Sequence, residues 1–136
     1  MKLSILTFML LMCPTFKTKD FTTYFQYAET YANILKLTRG YDYNDPGYAD
    51  EEYGKLITLT ISQKNKVKVG EVYNFPSSFI KGEYENWTAG DATNIKTFSG
   101  SFGIISINNE EIEVFIRTEN TEVNFLGSYV FKFKNK

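Results

Sequence analysis

Histidine is missing from the sequence altogether, and cysteine occurs once, at Cys13. These absences remove the Ser-His-Asp and Cys-His nucleophile arrangements, the imidazole base, and zinc sites built from His and Cys. Any catalysis would have to run on carboxylates, lysine, tyrosine or a hard metal held by oxygen. Charge of one sign is lacking too: 15 Lys and Arg stand against 16 Asp and Glu, scattered along the chain. That gives no basic face for nucleic acid, and no nucleic-acid partner is expected. Long hydrophobic runs are absent. The longest apolar stretch, Leu3 to Met12, has ten residues and would reach about 15 Å as a helix, roughly half of a bilayer core. With 136 residues the chain can bury one sizeable core but not two.

What is present is aromatic: 12 Phe and 10 Tyr, against three Pro and one Trp. Aromatic and β-branched residues suit pleated, half-buried surfaces better than helices. The C-terminal part shows this most plainly. In VNFLGSYVFKFKNK, Val123, Phe125, Tyr129, Phe131 and Phe133 alternate with Asn124, Ser128, Lys132 and Lys134. In EEIEVFIRTE the apolar positions are Ile112, Val114 and Ile116, and in KLITLTIS they are Ile57, Leu59 and Ile61. A two-residue period of this kind describes strands wet on one side. Asn108-Asn109 predicts a tight hairpin through positive φ at Asn, and Glu119-Asn120-Thr121 a second turn, so 98–133 reads as a three-strand meander. Gly100, Gly103 and Gly127 suggest bulges or close backbone approach.

Other segments are less clear. Residues 66–75 predict a short strand ending before Pro76, after a basic turn at Lys64 to Lys68, while KGEYENWTAGDATN reads as loop-rich. DFTTYFQYAETYANILKLT predicts two strands, about 21–28 and 31–39; a helix with Thr23-x-x-Gln26 as its cap is the alternative.

The first twenty residues, MKLSILTFMLLMCPTFKTKD, predict an export signal: one Lys, an apolar stretch, then Cys-Pro-Thr. Leu10-Leu11-Met12-Cys13 resembles a bacterial lipobox, in which the Cys is lipidated and becomes the mature N-terminus; Met12 and Pro14 depart from that pattern. The alternative is cleavage before Phe16 without a lipid. Residues 1–15 are thus read as a signal peptide or lipoprotein leader and 16–136 as a single β domain. The destination is the periplasm, outer membrane, cell surface or medium, with the membrane touched only through a lipid on Cys13. No disulfide can staple the mature chain.

One segment, RGYDYNDPGYADEEYG from Arg39 to Gly54, carries four tyrosines and five carboxylates without a Leu, Ile, Val or Phe. It predicts an exposed loop built around Asn44-Asp45-Pro46-Gly47. Tyr41, Asp42, Tyr43, Asp45 and Tyr48 are the candidate ligand-binding residues there, with Tyr53 able to join the three tyrosines in one contact surface, because tyrosine offers rigid contact area at low entropy cost. An oxygen-lined calcium site at Asp42, Asp45 and Asp50 is the alternative; an EF-hand fails at Pro46 and Tyr53. A second candidate pair is Tyr84 and Trp87, beside the sequon Asn86-Trp87-Thr88. Paired carboxylates, Glu83 with Glu85 and Glu111 with Glu113, would be the material for a glycan hydrolase, although exposed alternating Glu is what a solvated strand presents anyway.

The leader with Leu-Leu-Met-Cys, and the tail in which FSGSFGIISI precedes VNFLGSYVFKF, resemble small exported lipoproteins of Bacteroidota. The resemblance implies a lipocalin-like or sandwich-like β-fold and a role without catalysis. The expected fold is all-β, an antiparallel sandwich or open barrel of seven to nine strands. The expected function is non-enzymatic binding of a protein or glycan, without metal or cofactor. Carriage of a small apolar ligand inside a barrel is the alternative.

Overall fold

The computed structural model describes residues 21–47, 52–90, 93–120 and 122–134. The leader with Cys13, and Tyr48 and Asp50 of the acidic segment, lie outside the described residues. The described residues form nine strands: β1 Thr22–Tyr31, β2 Ile34–Tyr43, β3 Tyr53–Ile61, β4 Val72–Phe75, β5 Ile80–Thr88, β6 Asn94–Phe98, β7 Gly100–Ile107, β8 Glu111–Thr118 and β9 Leu126–Phe133. They make one sheet in the order β4-β7-β8-β9-β1-β2-β3-β5-β6. Every neighbouring pair is antiparallel except β1 and β9, which run parallel over Tyr27↔Lys132 and Ala28↔Phe133.

The sheet curls into a half-barrel. Its two edges face each other through Phe75 of β4 and Phe98 of β6, whose rings meet edge-on at 5.5 Å. The expected all-β open barrel is therefore what the described residues form, and 21–38 supplies strands, not the alternative helix. The predicted 98–133 meander is present as β7, β8 and β9, and the apolar member of each alternating pair is the one that faces inward. Ile112, Val114, Ile116, Leu59, Ile61, Phe125 and Phe131 are all buried. Burial of this kind contributes roughly 1.5–3 kcal/mol per large apolar side chain.

Two segments expected to be loops are strands, for one shared reason. KGEYENWT is β5, and Arg39 to Tyr43 and Tyr53-Gly54 belong to β2 and β3. In each, glycine interrupts the side-chain pattern, at the inward Gly82 and at the outward Gly40 and Gly54, and a ring from the neighbouring strand covers it. Phe98 stands opposite Gly82, Phe25 opposite Gly40, Trp87 opposite Gly54 and, across β4 and β7, Phe75 opposite Gly100. A Cβ at Gly82 would lie 2.9 Å from the Phe98 ring, and one at Gly54 2.5 Å from the indole nitrogen of Trp87. Directly opposed glycine and aromatic residues pair in this way because the ring covers backbone that glycine leaves bare. The strand expected over 66–75 is shorter than predicted: a 3-10 turn at Lys64–Lys66 and a positive φ of 89° at Gly70 delay it to Val72.

The turns work through side-chain amides. At the β7–β8 hairpin Asn108 Oδ1 accepts the N–H groups of Glu110 and Glu111 at 2.8 and 2.9 Å. Positive φ, the expected device there, is not used: among the described residues the one non-glycine with positive φ is Ala32, at 53°, in the β1–β2 turn. Asn33 in that turn docks on the 3-10 segment, with Asn33 Nδ2 donating to Asn65 Oδ1 at 2.6 Å and Asn65 N–H donating to Asn33 Oδ1 at 3.0 Å. Asn120 likewise accepts from the Glu122 N–H at 2.8 Å in the predicted second turn. The bulge in this region falls between Ile104 and Ser106 of β7, beside the glycines and not on them.

Candidate functional site

Strand register decides which residues of the tyrosine-rich segment can act together. Residues opposite one another across a sheet share a face. Along the inner face of β1, β2, β3, β5 and β6 the cross-strand rows therefore read in sequence. Thr30, Leu35, Ile61 and Ile80 come first, then Ala28, Leu37, Leu59, Gly82 and Phe98. Beyond them lie Gln26, Arg39, Ile57, Tyr84 and Lys96, then Tyr24, Tyr41, Lys55, Asn86 and Asn94, and last Thr22, Tyr43, Tyr53 and Thr88. One end of the half-barrel is aliphatic, with Leu35, Ile61 and Ile80 buried. The other end is a mouth floored by tyrosines, amides and cations.

The rings at the mouth are ordered against each other. Tyr43 and Tyr53 stack with centroids 4.7 Å apart and planes 17° from parallel. Tyr24 lies 6.1 Å from Tyr41, and Phe21 meets Tyr43 edge-on at 6.4 Å. Tyr41 and Tyr43 are half-buried, whereas Tyr24 is 75% exposed and Tyr53 43% exposed. An offset-stacked pair of this geometry contributes roughly 0.5–1.5 kcal/mol beyond the area it buries, which favours a fixed platform.

Below the platform, Arg39 closes the core. Its guanidinium sits 5.0 Å from the Phe125 ring and 5.0 Å from the Tyr129 ring, and these two rings meet edge-on at 5.0 Å. Lys55 donates to the main-chain carbonyl of Glu122, which ties the β8–β9 connection across the mouth. Beneath this plug, between Leu37, Leu59, Phe98, Ile116 and Phe131, the space left is about 10 Å³, the volume of about one water.

The predicted site residues divide. Tyr41 and Tyr43 come together on the inner face with Tyr53 of the same segment, and are joined by Tyr24, which the sequence reading did not select. Asp42 points the other way: its row is Thr23, Asp42, Gly54 and Trp87, on the outer face. Alternation separates it from the tyrosines on either side, so the expected mixed tyrosine-and-acid surface does not form from these residues. Asp45 is a turn-former, its Oδ1 accepting the Gly47 N–H at 2.8 Å.

Tyr84, expected at the surface, is a core residue at 5% exposure, packed against Phe98 with the Lys55 ammonium 5.9 Å from its ring. Trp87 is half-buried over Gly54 on the outer face, apart from Tyr84 and from the mouth. Glu83 and Glu85 share that outer face, where Glu83 lies 3.5 Å from Lys81. Among the described residues no group of three carboxylates converges as a metal site requires, and the calcium alternative loses Asp42 to the outer face while Asp50 lies outside the described residues.

The signal that Arg39 and Lys55 join the tyrosines was parity. Arg39, Tyr41 and Tyr43 continue the inward register of Leu35 and Leu37, and Tyr53 and Lys55 that of Ile57 and Leu59. No protein-family model, curated protein or solved structure matches the chain.

Proposed function

We propose that the protein is an exported, non-enzymatic binding protein that holds a glycan against the tyrosine platform at the mouth of the half-barrel. The observation that carries the reading is the placement of Tyr24, Tyr41, Tyr43 and Tyr53 on one face in two adjacent cross-strand rows, with Tyr43 and Tyr53 stacked at 4.7 Å. Rings on rigid strands present the flat, partly wet surface on which a sugar ring can lie. Asn86 and Asn94, in the row of Tyr24 and Tyr41, supply amides for hydroxyl groups. A surface site needs no interior volume, and the enclosed space of about 10 Å³ suits a surface ligand better than a carried one. Sites on strands hold their geometry better than sites on loops.

The test is affinity electrophoresis in native gels cast with soluble polysaccharides, comparing the wild type with Tyr43→Ala and Tyr53→Ala. Retardation of the wild type, weakened about tenfold or more in both variants with folding unchanged by circular dichroism, is the expected result. Wild-type migration unaffected by every polysaccharide, neutral and acidic, would end the reading.

A further inference from the structure

The two faces of the β1-β2-β3-β5-β6 half of the sheet carry opposite charge. Its strands hold four carboxylates, Glu29, Asp42, Glu83 and Glu85, and register places all of them outside. They hold five cations, of which Lys36 and Lys81 are outside and Arg39, Lys55 and Lys96 are inside, in the rows next to the tyrosines. The chain as a whole is close to neutral, at −1, so composition conceals this separation.

Nor are the inner cations neutralised locally. Among the described residues the one ion pair is Lys81 with Glu83, on the outer face. Arg39 is held between two aromatic faces, and Lys55 binds a neutral carbonyl. An ammonium has three donors and a guanidinium five, so both keep donors to offer. Lys96 is exposed on the edge strand β6.

Resting on the glycan reading above, we propose that the ligand is an acidic glycan, a chain of carboxylate-bearing sugars, whose rings lie on Tyr41, Tyr43 and Tyr53 and whose carboxylates meet Arg39, Lys55 and Lys96. The spacings agree with such a chain. Neighbouring inner-face positions lie about 7 Å apart along a strand and about 5 Å across strands, so one step separates Tyr41 from Arg39 and from Lys55 and Tyr53 from Lys55, and Tyr43 is one diagonal step from Lys55. Single-stranded nucleic acid also combines stacking with anions, but a phosphate at every nucleotide calls for a longer basic track than three cations. A uronate's weaker charge, with hydroxyl groups between, suits three cations set among amides.

The experiment uses the full chain and two forms of one polymer: polygalacturonate, and the same polymer with its carboxylates methyl-esterified. Binding is read by affinity electrophoresis and titration calorimetry at low and high salt, with wild type, Lys55→Gln, Lys96→Gln and Tyr43→Ala. Expected is binding to polygalacturonate that weakens about tenfold or more from 50 to 500 mM salt, with each Lys→Gln change costing roughly threefold to tenfold. The ester should bind more weakly and equally to wild type and both Lys→Gln variants. Lys96, exposed on an edge, can be changed without disturbing the core, which guards against a folding artefact at Lys55.

Equal binding of the acid and ester forms, abolished by Tyr43→Ala, would overturn the acidic-ligand inference while leaving the glycan reading standing. Absence of binding to both polymers and to neutral glucans would overturn both. Displacement of polygalacturonate by a thymidine oligonucleotide at lower concentration would overturn the inference in favour of a phosphate ligand.

Discussion

Gly54→Ala tests the pairing of glycine with aromatic rings that holds the tyrosine strands in place. The added methyl would lie 2.5 Å from Trp87 Nε1 and 2.5 Å from the Tyr41 carbonyl oxygen. Relaxed carbon contacts stand at about 3.5–4.0 Å, so something must move by roughly 1 Å. The Tyr41 carbonyl belongs to the β2–β3 ladder, and the indole is a side chain at the outer surface. The indole can swing aside, whereas the carbonyl contact persists and adds to the cost, so the figure worked for the indole is a lower bound. Trp87 is half-buried; if it surrenders on the order of 100 Å² of contact, the loss is about 2.5 kcal/mol at 25 cal/mol/Å². Lower entropy of the unfolded chain returns roughly 0.4–1 kcal/mol. The net is a destabilisation of at least about 1.5–2 kcal/mol, or on the order of 5–10 °C in Tm for a domain of this size.

Trp87 is the only tryptophan, so its emission reports on the ring directly. Urea unfolding followed by fluorescence should show an earlier midpoint together with a native-state emission shifted to the red. Gly47→Ala is the control, because its methyl would meet only Asp45 Oδ1, at 3.3 Å, and should change stability by less than about 0.5 kcal/mol. An unshifted emission with an unchanged midpoint in Gly54→Ala would refute the claim that a ring occupies the space glycine leaves.

Two further predictions concern single polar groups. Thr38 is 2% exposed and its Oγ1 is buried without a partner, so Thr38→Val, which keeps the shape and removes the orphaned hydroxyl, should stabilise the protein by roughly 1 kcal/mol in urea titration; a lower midpoint would count against that. Tyr73 has a pKa raised from 10.0: the Lys68 N–H donated to its oxygen pulls it down, but desolvation and the hydrogen-bonded, like-charged Glu71 carboxylate outweigh that pull. Because the folded pKa lies above the unfolded one, this contribution to stability is full below pH 10 and is lost as pH rises through the folded value. Tyr73→Phe should flatten the alkaline limb of the stability profile, and an identical slope in both proteins would contradict it.

How much of this was readable in the sequence depended on whether the inward position held an aliphatic residue. The 98–133 meander and KLITLTIS were legible because Ile, Val, Leu and Phe mark the buried parity of each strand. RGYDY and KGEYENWT were not: the inward positions of the first are Arg39, Tyr41 and Tyr43, and those of the second begin with Gly82, whose cover comes from Phe98 on another strand. Local periodicity contains no information about a ring supplied from a neighbouring strand. The same limit governed the site. Tyr41, Tyr43 and Tyr53 could be picked by composition, but separating them from Asp42, and joining them to Tyr24 and Lys55, required the register of three strands. Tyr84 was misplaced because a lone tyrosine among Glu, Asn and Trp reads as surface, while its partner Phe98 lies on another strand.

The parallel seam between β1 and β9 has a consequence for the order in which the chain acquires structure. Gln26 donates to the Val130 carbonyl across 104 residues of sequence, so the first strand has a naked flank until the last has been delivered. Contacts of such separation slow folding, and an unpaired flank invites pairing with the wrong chain. Translation from the N-terminus would therefore leave β1 to β3 waiting as an incomplete ribbon. Premature truncation before β9 should yield aggregates rather than a smaller folded fragment.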